Sequence, residues 1–323
     1  MNSTETVTAS NRFIVTISLY FTEGLVQIGG NALLLAAVLS TSALREKEFI
    51  FPAGLAMSDA VTGFGLTFSA VHRLTVMLDH RSNQLVPAMD CASQFHTLCL
   101  QLGAYASPMI AMLISVDRFI ACFSIQAYAK LTRRYAVVAV SVVYAFATTN
   151  LAINVVAVNM KEDFMVPSFC FSGSSLPPWR EYMHWGIQTV FAYISVGIYV
   201  AALACLKCQN KEQFSAIMQA KRNRQRKVTM ALVHLSTCTF CLFCIPLTIF
   251  LLLDFITLDM GIRLYLGTSL FIIINLNSAY NIILYYFKNK DVQVAIRRIL
   301  CPCHKTTTVI TVSSGVANTT SLK

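Results

Sequence analysis

A few residues sit inside long apolar stretches where their chemistry is out of place: Asn31, Asp59, Ser107, Asn275, Asn277 and Asn281. A polar group at hydrocarbon depth is costly, so each needs a partner or a task. A carboxylate among hydroxyl and amide oxygens is the donor set of a small hard cation. Asp59 with Asn31, Ser107, Asn277 and Asn281 is therefore a candidate sodium site. The same residues equally suit hydrogen bonding between helices, with no ion. Asp117 and Arg118 stand side by side at the end of an apolar run. Position alone reads them as an interfacial ion pair with snorkelling side chains. Catalytic arrangements are not evident: His96, His184 and His234 fall in separate runs, and there is no HExxH or GxSxG motif. The 11 cysteines show no zinc-type array; the close pairs are Cys205 with Cys208, Cys241 with Cys244, and Cys301 with Cys303.

The elements that must position these residues follow from composition. Of 323 residues, 56% are hydrophobic and 12% charged, against about 25% charged in a soluble domain. Lipid is therefore the expected solvent. Seven runs are long enough to cross the hydrocarbon core: Phe13–Leu39, Phe49–Val71, Cys91–Phe119, Tyr135–Val158, Tyr182–Leu206, Val228–Asp254 and Arg263–Phe287. Backbone groups in lipid must bond internally, so each run is helical. A β-barrel would instead show short alternating segments. The second run is the weakest, interrupted by Asp59, three glycines and several hydroxyls, while Pro108 and Pro246 should kink the third and sixth. The expectation is an all-α membrane protein, a seven-helix bundle with a short amphipathic eighth helix.

Charge sets the orientation. Six Lys and Arg residues lie on the N-terminal side of the runs, among them Arg73, Arg180 and Arg263, and 19 on the other. The positive-inside rule then places the N-terminus outside and the C-terminus in the cytoplasm of a multi-pass cell-membrane protein. The net charge of +10 resides in these loops, which argues against nucleic acid as a partner. Expected boundaries are residues 1–12 for an extracellular N-terminus, 13–287 for the bundle, 288–303 for an amphipathic cytoplasmic helix and 304–323 for a flexible tail. In that helix Val292, Ile296 and Ile299 form an apolar stripe with Lys290, Arg297 and Arg298 around it, a pattern that lies on membrane lipid. Cys301 and Cys303, directly after it, are either palmitoylation sites or free thiols. Asn2-Ser3-Thr4 is a glycosylation sequon on the outer side.

Taken in order, these residues resemble the rhodopsin-like G-protein-coupled receptors from about Phe13 to Cys303. Leu55-Ala56-Met57-Ser58-Asp59 matches the LAxxD of span two. Asp117-Arg118-Phe119 is a variant of the DRY motif, with Tyr128 at the end of its PxxY extension. Asn281-Ile282-Ile283-Leu284-Tyr285 keeps the register of NPxxY. Tyr199 fits the span-five tyrosine, and Phe243-Cys244-Ile245-Pro246 stands where CWxP is usual, with Phe240 one turn earlier. Departures include Ile282 and Ile125 for two prolines, Cys244 for the tryptophan, and Arg226 where many members carry an acid. This erosion looks like the serpentine chemoreceptors of nematodes.

The resemblance implies a receptor that senses an extracellular ligand and activates a heterotrimeric G protein through Asp117, Arg118, Phe119, Tyr199, Phe240, Pro246, Asn281 and Tyr285. It implies a Cys91–Cys170 disulfide, although Cys91 stands two residues further from Arg118 than the family's spacing. No cofactor is implied beyond an allosteric sodium ion at Asp59. Leu100 occupies the aspartate position of the amine receptors, and Asn275 the lysine position of the opsins, so neither a buried amine pair nor a retinal Schiff base fits. His96, Leu100, Gln101, Tyr105, Gln188, Cys244, Tyr265 and Asn275 would line a pocket for a small neutral or weakly polar, odorant-like molecule. A neuropeptide-type receptor of the same fold is the alternative. A transporter or channel is the more distant one, since no inverted repeat divides the chain.

Overall fold

The computed structural model describes residues 3–82, 84–161, 164–173, 175–208, 236–253, 256 and 260–301. Asn2, Arg226, Cys303 and the tail from residue 304 lie outside the described residues, as does the first part of the sixth run.

Helix α1 (Ser3–Ser40) starts ten residues before the apolar run, because neither Gly nor Pro interrupts the polar stretch ahead of Phe13. A single 3₁₀ turn, Ser42–Arg45, leads into α2 (Lys47–Leu78). Strand β1 (Leu85–Pro87) and the short α3 (Ala88–Ala92) precede α4 (Phe95–Phe123). Then come α5 (Ile125–Lys130), α6 (Arg133–Asn159), strand β2 (Met165–Pro167) and α7 (Pro178–Cys208). The sixth run appears as α8 (Ser236–Leu252), the seventh as α9 (Met260–Lys288), and α10 (Lys290–Leu300) closes the described chain. Helices α1, α2, α4, α6, α7 and α9 are long and apolar enough to span a membrane, and α8 is the shorter apolar helix beside them. This is an all-α, seven-helix membrane bundle with one exception. β1 and β2 pair antiparallel, with Val86 opposite Val166, and so tie two loops together.

The weakness of the second run has a structural cause. Two thirds of the apolar window of α2 (67%) is buried inside the protein, against 22% for α6. Apolar side chains on α6, including Val138, Val142 and Val156, are exposed and meet lipid, whereas α2 meets protein and has no need of a uniformly apolar surface. Its three glycines are contact points. A Cβ on Gly63 would lie 2.9 Å from the Gly24 carbonyl of α1, one on Gly65 2.7 Å from Leu100 of α4, and one on Gly54 3.0 Å from Val140 of α6. Small residues let these backbones approach closely.

Two further departures from the sequence reading concern register and kinks. Cys91 belongs to α3 rather than to the third span. A bend at Ser93 and Gln94 separates α3 from α4 and absorbs the two extra residues before Arg118. In α8 the turn Phe240–Cys244, just before Pro246, is a π-helix turn. Proline supplies no N–H to the preceding turn, and a widened turn accommodates the loss. The amphipathic stretch is helical as expected, and Asn289 caps it by accepting from the Asp291 and Val292 amides. Its inner stripe is Val292, Ala295 and Ile296, packed on Leu34, Val38 and Leu44, while Ile299 is exposed.

Candidate functional site

The polar residues fall into three groups along the bundle. At one end, α3 and the loop before α7 are joined by the Cys91–Cys170 disulfide, with Cα atoms 5.0 Å apart, inside the normal range for such a bond. Around it Ala88, Ala92, Val158, Val166 and Leu176 form a small apolar cluster. The loop continues past Phe171 and Ser172, whose backbone carbonyl accepts from Gln101 Nε2 at 3.2 Å.

Mid-bundle, Asp59 is 1% exposed. Ser107 Oγ donates to its Oδ1 at 2.9 Å, Ser278 Oγ donates to the same oxygen at 3.0 Å, and Asn281 Nδ2 reaches Oδ2 at 3.4 Å. Ser58 Oγ extends the chain to Ser107 at 2.8 Å. Helix α2 thus meets α4 and α9 around one carboxylate. Asn31 is buried, but its amide donates to the Gln27 carbonyl of its own helix at 2.9 Å and makes no hydrogen bond to Asp59. Ser278 takes the place expected for it. The missed signal was its position three residues before Asn281, on the same helical face. Asn277 Oδ1 and Asn281 Oδ1 are buried without a hydrogen-bond partner among the described residues. Both asparagines line the same cavity as Asp59 and Ser107. Four oxygen-bearing side chains around one cavity, two with an acceptor unused, fit a small hard cation.

That cavity, about 70 Å³, runs from Asp59 and Tyr199 up to Ser172, Trp185 and Phe271. Of the residues expected to line a ligand pocket, Leu100, Gln188 and Asn275 do. His96, Gln101, Tyr105, Cys244 and Tyr265 do not, and each has another setting. His96 stacks on His72 with centroids 5.0 Å apart. Gln101 and Tyr105 turn to α6, where Asn154 Nδ2 donates to Gln101 Oε1 at 2.7 Å and Tyr105 contacts Asn154 at 3.4 Å. On α4 the cavity face is Leu100, Gly103, Ala104 and Ser107. One residue around a 3.6-residue helix turns a side chain by about 100°, which is why Gln101 and Tyr105 point elsewhere. Cys244 is fully buried away from the cavity, while Phe243 lines it. Tyr265 is 58% exposed. Sequence reasoning missed His184, Trp185, Phe243 and Phe271, which close the cavity walls. They lie on three helices, α7, α8 and α9, so no spacing along one helix marks them as a set.

At the other end Asp117 and Arg118 form a buried ion pair, with side chains 3% and 6% exposed. This corrects the snorkelling reading. Arg118 Nη2 also donates to Tyr128 Oη at 3.2 Å. Tyr128 is fixed from its far side: Lys47 Nζ sits 3.9 Å from its ring centroid and donates to the Tyr128 and Leu131 carbonyls at 2.6 and 2.9 Å. Burial drives the Tyr128 phenol above its usual range, against the opposing pull of the Arg118 cation. A small crevice lined by Phe51, Asp117, Arg118, Tyr285 and Asn289 opens beside this cluster. The Tyr199 and Tyr285 hydroxyls are buried and unpartnered among the described residues. Phe119 stacks on Phe123 at 5.8 Å. Phe240 is 37% exposed beside Tyr193, outside the cavity, and Pro246 is buried.

A seven-helix membrane bundle with a disulfide at one end, a polar core and a buried Asp–Arg pair at the other defines a class, the seven-helix receptors. The profile of the 7 transmembrane receptor (rhodopsin family) matches residues 30–285. The chain belongs to the rhodopsin family of seven-transmembrane receptors. No curated protein matches it.

Proposed function

We propose that this receptor senses a small extracellular molecule entering at the disulfide end and activates a heterotrimeric G protein at the Arg118 end. The observation that carries the reading is the Arg118 cluster. One buried guanidinium is held by Asp117 and Tyr128, beside a crevice that Tyr285 also lines. A ligand shifts the bundle only by the difference in its affinity for two states. Outward movement of α8 about the π turn and Pro246 would free Arg118 for the partner, and the tyrosines Tyr199 and Tyr285, with hydroxyls unpaired, are placed to take up new hydrogen bonds there. In this orientation the N-terminus is extracellular and the C-terminus cytoplasmic, with Cys301 exposed at the end of α10 for lipid attachment.

The test is nucleotide exchange on a heterotrimeric G protein by the receptor in lipid nanodiscs, with and without Asp117→Asn. Losing one charge-assisted hydrogen bond is worth about 1.5–3 kcal/mol. Basal exchange should therefore rise roughly tenfold or more. Exchange no faster than with empty discs, for wild type and variant across all Gα classes, would end the coupling reading.

Asp59, Ser107, Asn277 and Asn281 would hold a sodium ion, which would supply charge balance for the buried carboxylate. Sodium chloride is expected to raise the melting temperature over choline chloride in wild type, through mass action on the folded state, and to lose that effect in Asp59→Asn. Equal melting in both salts for wild type would exclude the ion.

A further inference from the structure

Beside the polar cavity, at the disulfide end, lies a second one of about 270 Å³, lined by Tyr20, Arg73, Phe171, Phe250 and Arg263. Ser172, Trp185 and Phe271 line both cavities, so the two adjoin at those residues. Arg73 was expected in a loop, as one of the charges that set orientation. Instead it lies within α2 and is 3% exposed. Its guanidinium carbon is 4.9 Å from the Tyr20 ring centroid and 4.4 Å from that of Phe171. Nε donates to the Phe169 carbonyl at 3.5 Å. Among the described residues no carboxylate lies within ion-pair distance of it. The cavity wall also carries Glu181 and Arg263.

A buried cation with no counter-charge is costly to keep. Two aromatic faces offset part of that cost by cation–π attraction. Nε is spent on the Phe169 carbonyl, which leaves the two terminal Nη groups, beside the Tyr20 side chain, as the fork for a ligand. A fork of coplanar donors matches the two oxygens of a carboxylate better than any neutral group. Trp185, Phe250 and Phe271 give the wall an aromatic face, with Leu253 beside them. The space is just below the range of about 300–1,000 Å³ that suits drug-sized ligands, which limits the occupant to a small molecule.

We propose that the activating ligand is a small organic acid, its carboxylate bidentate to Arg73 and its apolar body against Trp185, Phe250 and Phe271. This replaces the neutral or weakly polar compound expected from sequence, and it rests on the reading of the chain as a ligand-activated receptor. The recognition step itself requires no G protein, so it can be tested by binding alone.

The full-length receptor in nanodiscs is exposed to a library of aryl and alkyl carboxylic acids, each matched with its primary amide, as phenylacetate with phenylacetamide. Bound compounds are read by affinity-selection mass spectrometry. Acids should be retained, with their amides weaker by roughly tenfold or more, the value of a charge-assisted pair. Arg73→Gln should abolish the preference for acids, and Arg73→Lys should restore it in part. Should Arg73→Gln fail to fold, the comparison of acid with amide on wild type decides alone. Amides bound as tightly as acids, no acid bound, or acid binding undiminished in a folded Arg73→Gln receptor would each overturn the proposal. Acid binding without nucleotide exchange would support the carboxylate site while refuting the coupling reading. Exchange driven only by neutral or basic compounds would do the reverse.

Discussion

Replacing Arg118 by alanine is expected to abolish nucleotide exchange while the receptor still reaches the cell surface in reduced amount. Arg118 is the one cation among the described residues that pairs with Asp117, and it bonds Tyr128 as well. Removing one partner of a buried pair leaves the other charge uncompensated, at a cost of about 3–5 kcal/mol. Part of any loss is therefore stability, and a second variant separates the two effects. Arg118→Ala with Asp117→Asn removes the stranded carboxylate. Surface expression and melting temperature should recover toward wild type, and exchange should stay absent. Ligand binding at the disulfide end should persist in both, because Arg118 lines only the crevice at its own end. Exchange at wild-type rates by the folded double variant would show that the partner does not use this guanidinium.

Breaking the disulfide is expected to have the next largest effect, through both stability and ligand binding. Cys91 and Cys170 close a loop of 79 residues in sequence. The chain-entropy account assigns such a closure roughly 2–5 kcal/mol. The bond also holds the segment that follows Cys170, in which Phe171 stacks on Arg73 and Ser172 accepts from Gln101. In Cys170→Ser the melting temperature should fall by several degrees, and acid binding should weaken more than the stability loss accounts for. A reducing agent should reproduce both effects in wild type and change nothing in the variant. Unaltered binding in the variant would show that the loop is held by the β1–β2 pairing and its apolar cluster alone.

The residues that resist hydrocarbon were legible because they are rare. Asp59, Ser107 and Asn281 stood out in three apolar runs, and the structure brings Ser107 and Asn281 within hydrogen-bond distance of Asp59. Which neighbours complete the group was not legible. Ser278 and Asn31 are equally plausible by type, and only the rotation of α9 and α1 about their axes turns one toward Asp59 and the other onto its own helix. The ligand-facing set suffered most for the same reason. Gln101 and Leu100 are adjacent in sequence but face α6 and the cavity respectively.

By itself the sequence determined the solvent, the seven crossings, the amphipathic last helix and the family. Each depends on composition or on spacing along one helix, which a single chain displays without its neighbours. Tertiary structure alone decided what the cations do. Arg73 and Arg180 read as loop charges, yet both are buried at the disulfide end. Arg180 binds Asn154 Oδ1 at 2.5 Å and Asn150 Oδ1 at 2.9 Å, and Arg73 lies over the rings of Tyr20 and Phe171. Burial and pairing are properties of contacts between elements far apart in sequence, and no local pattern carries them.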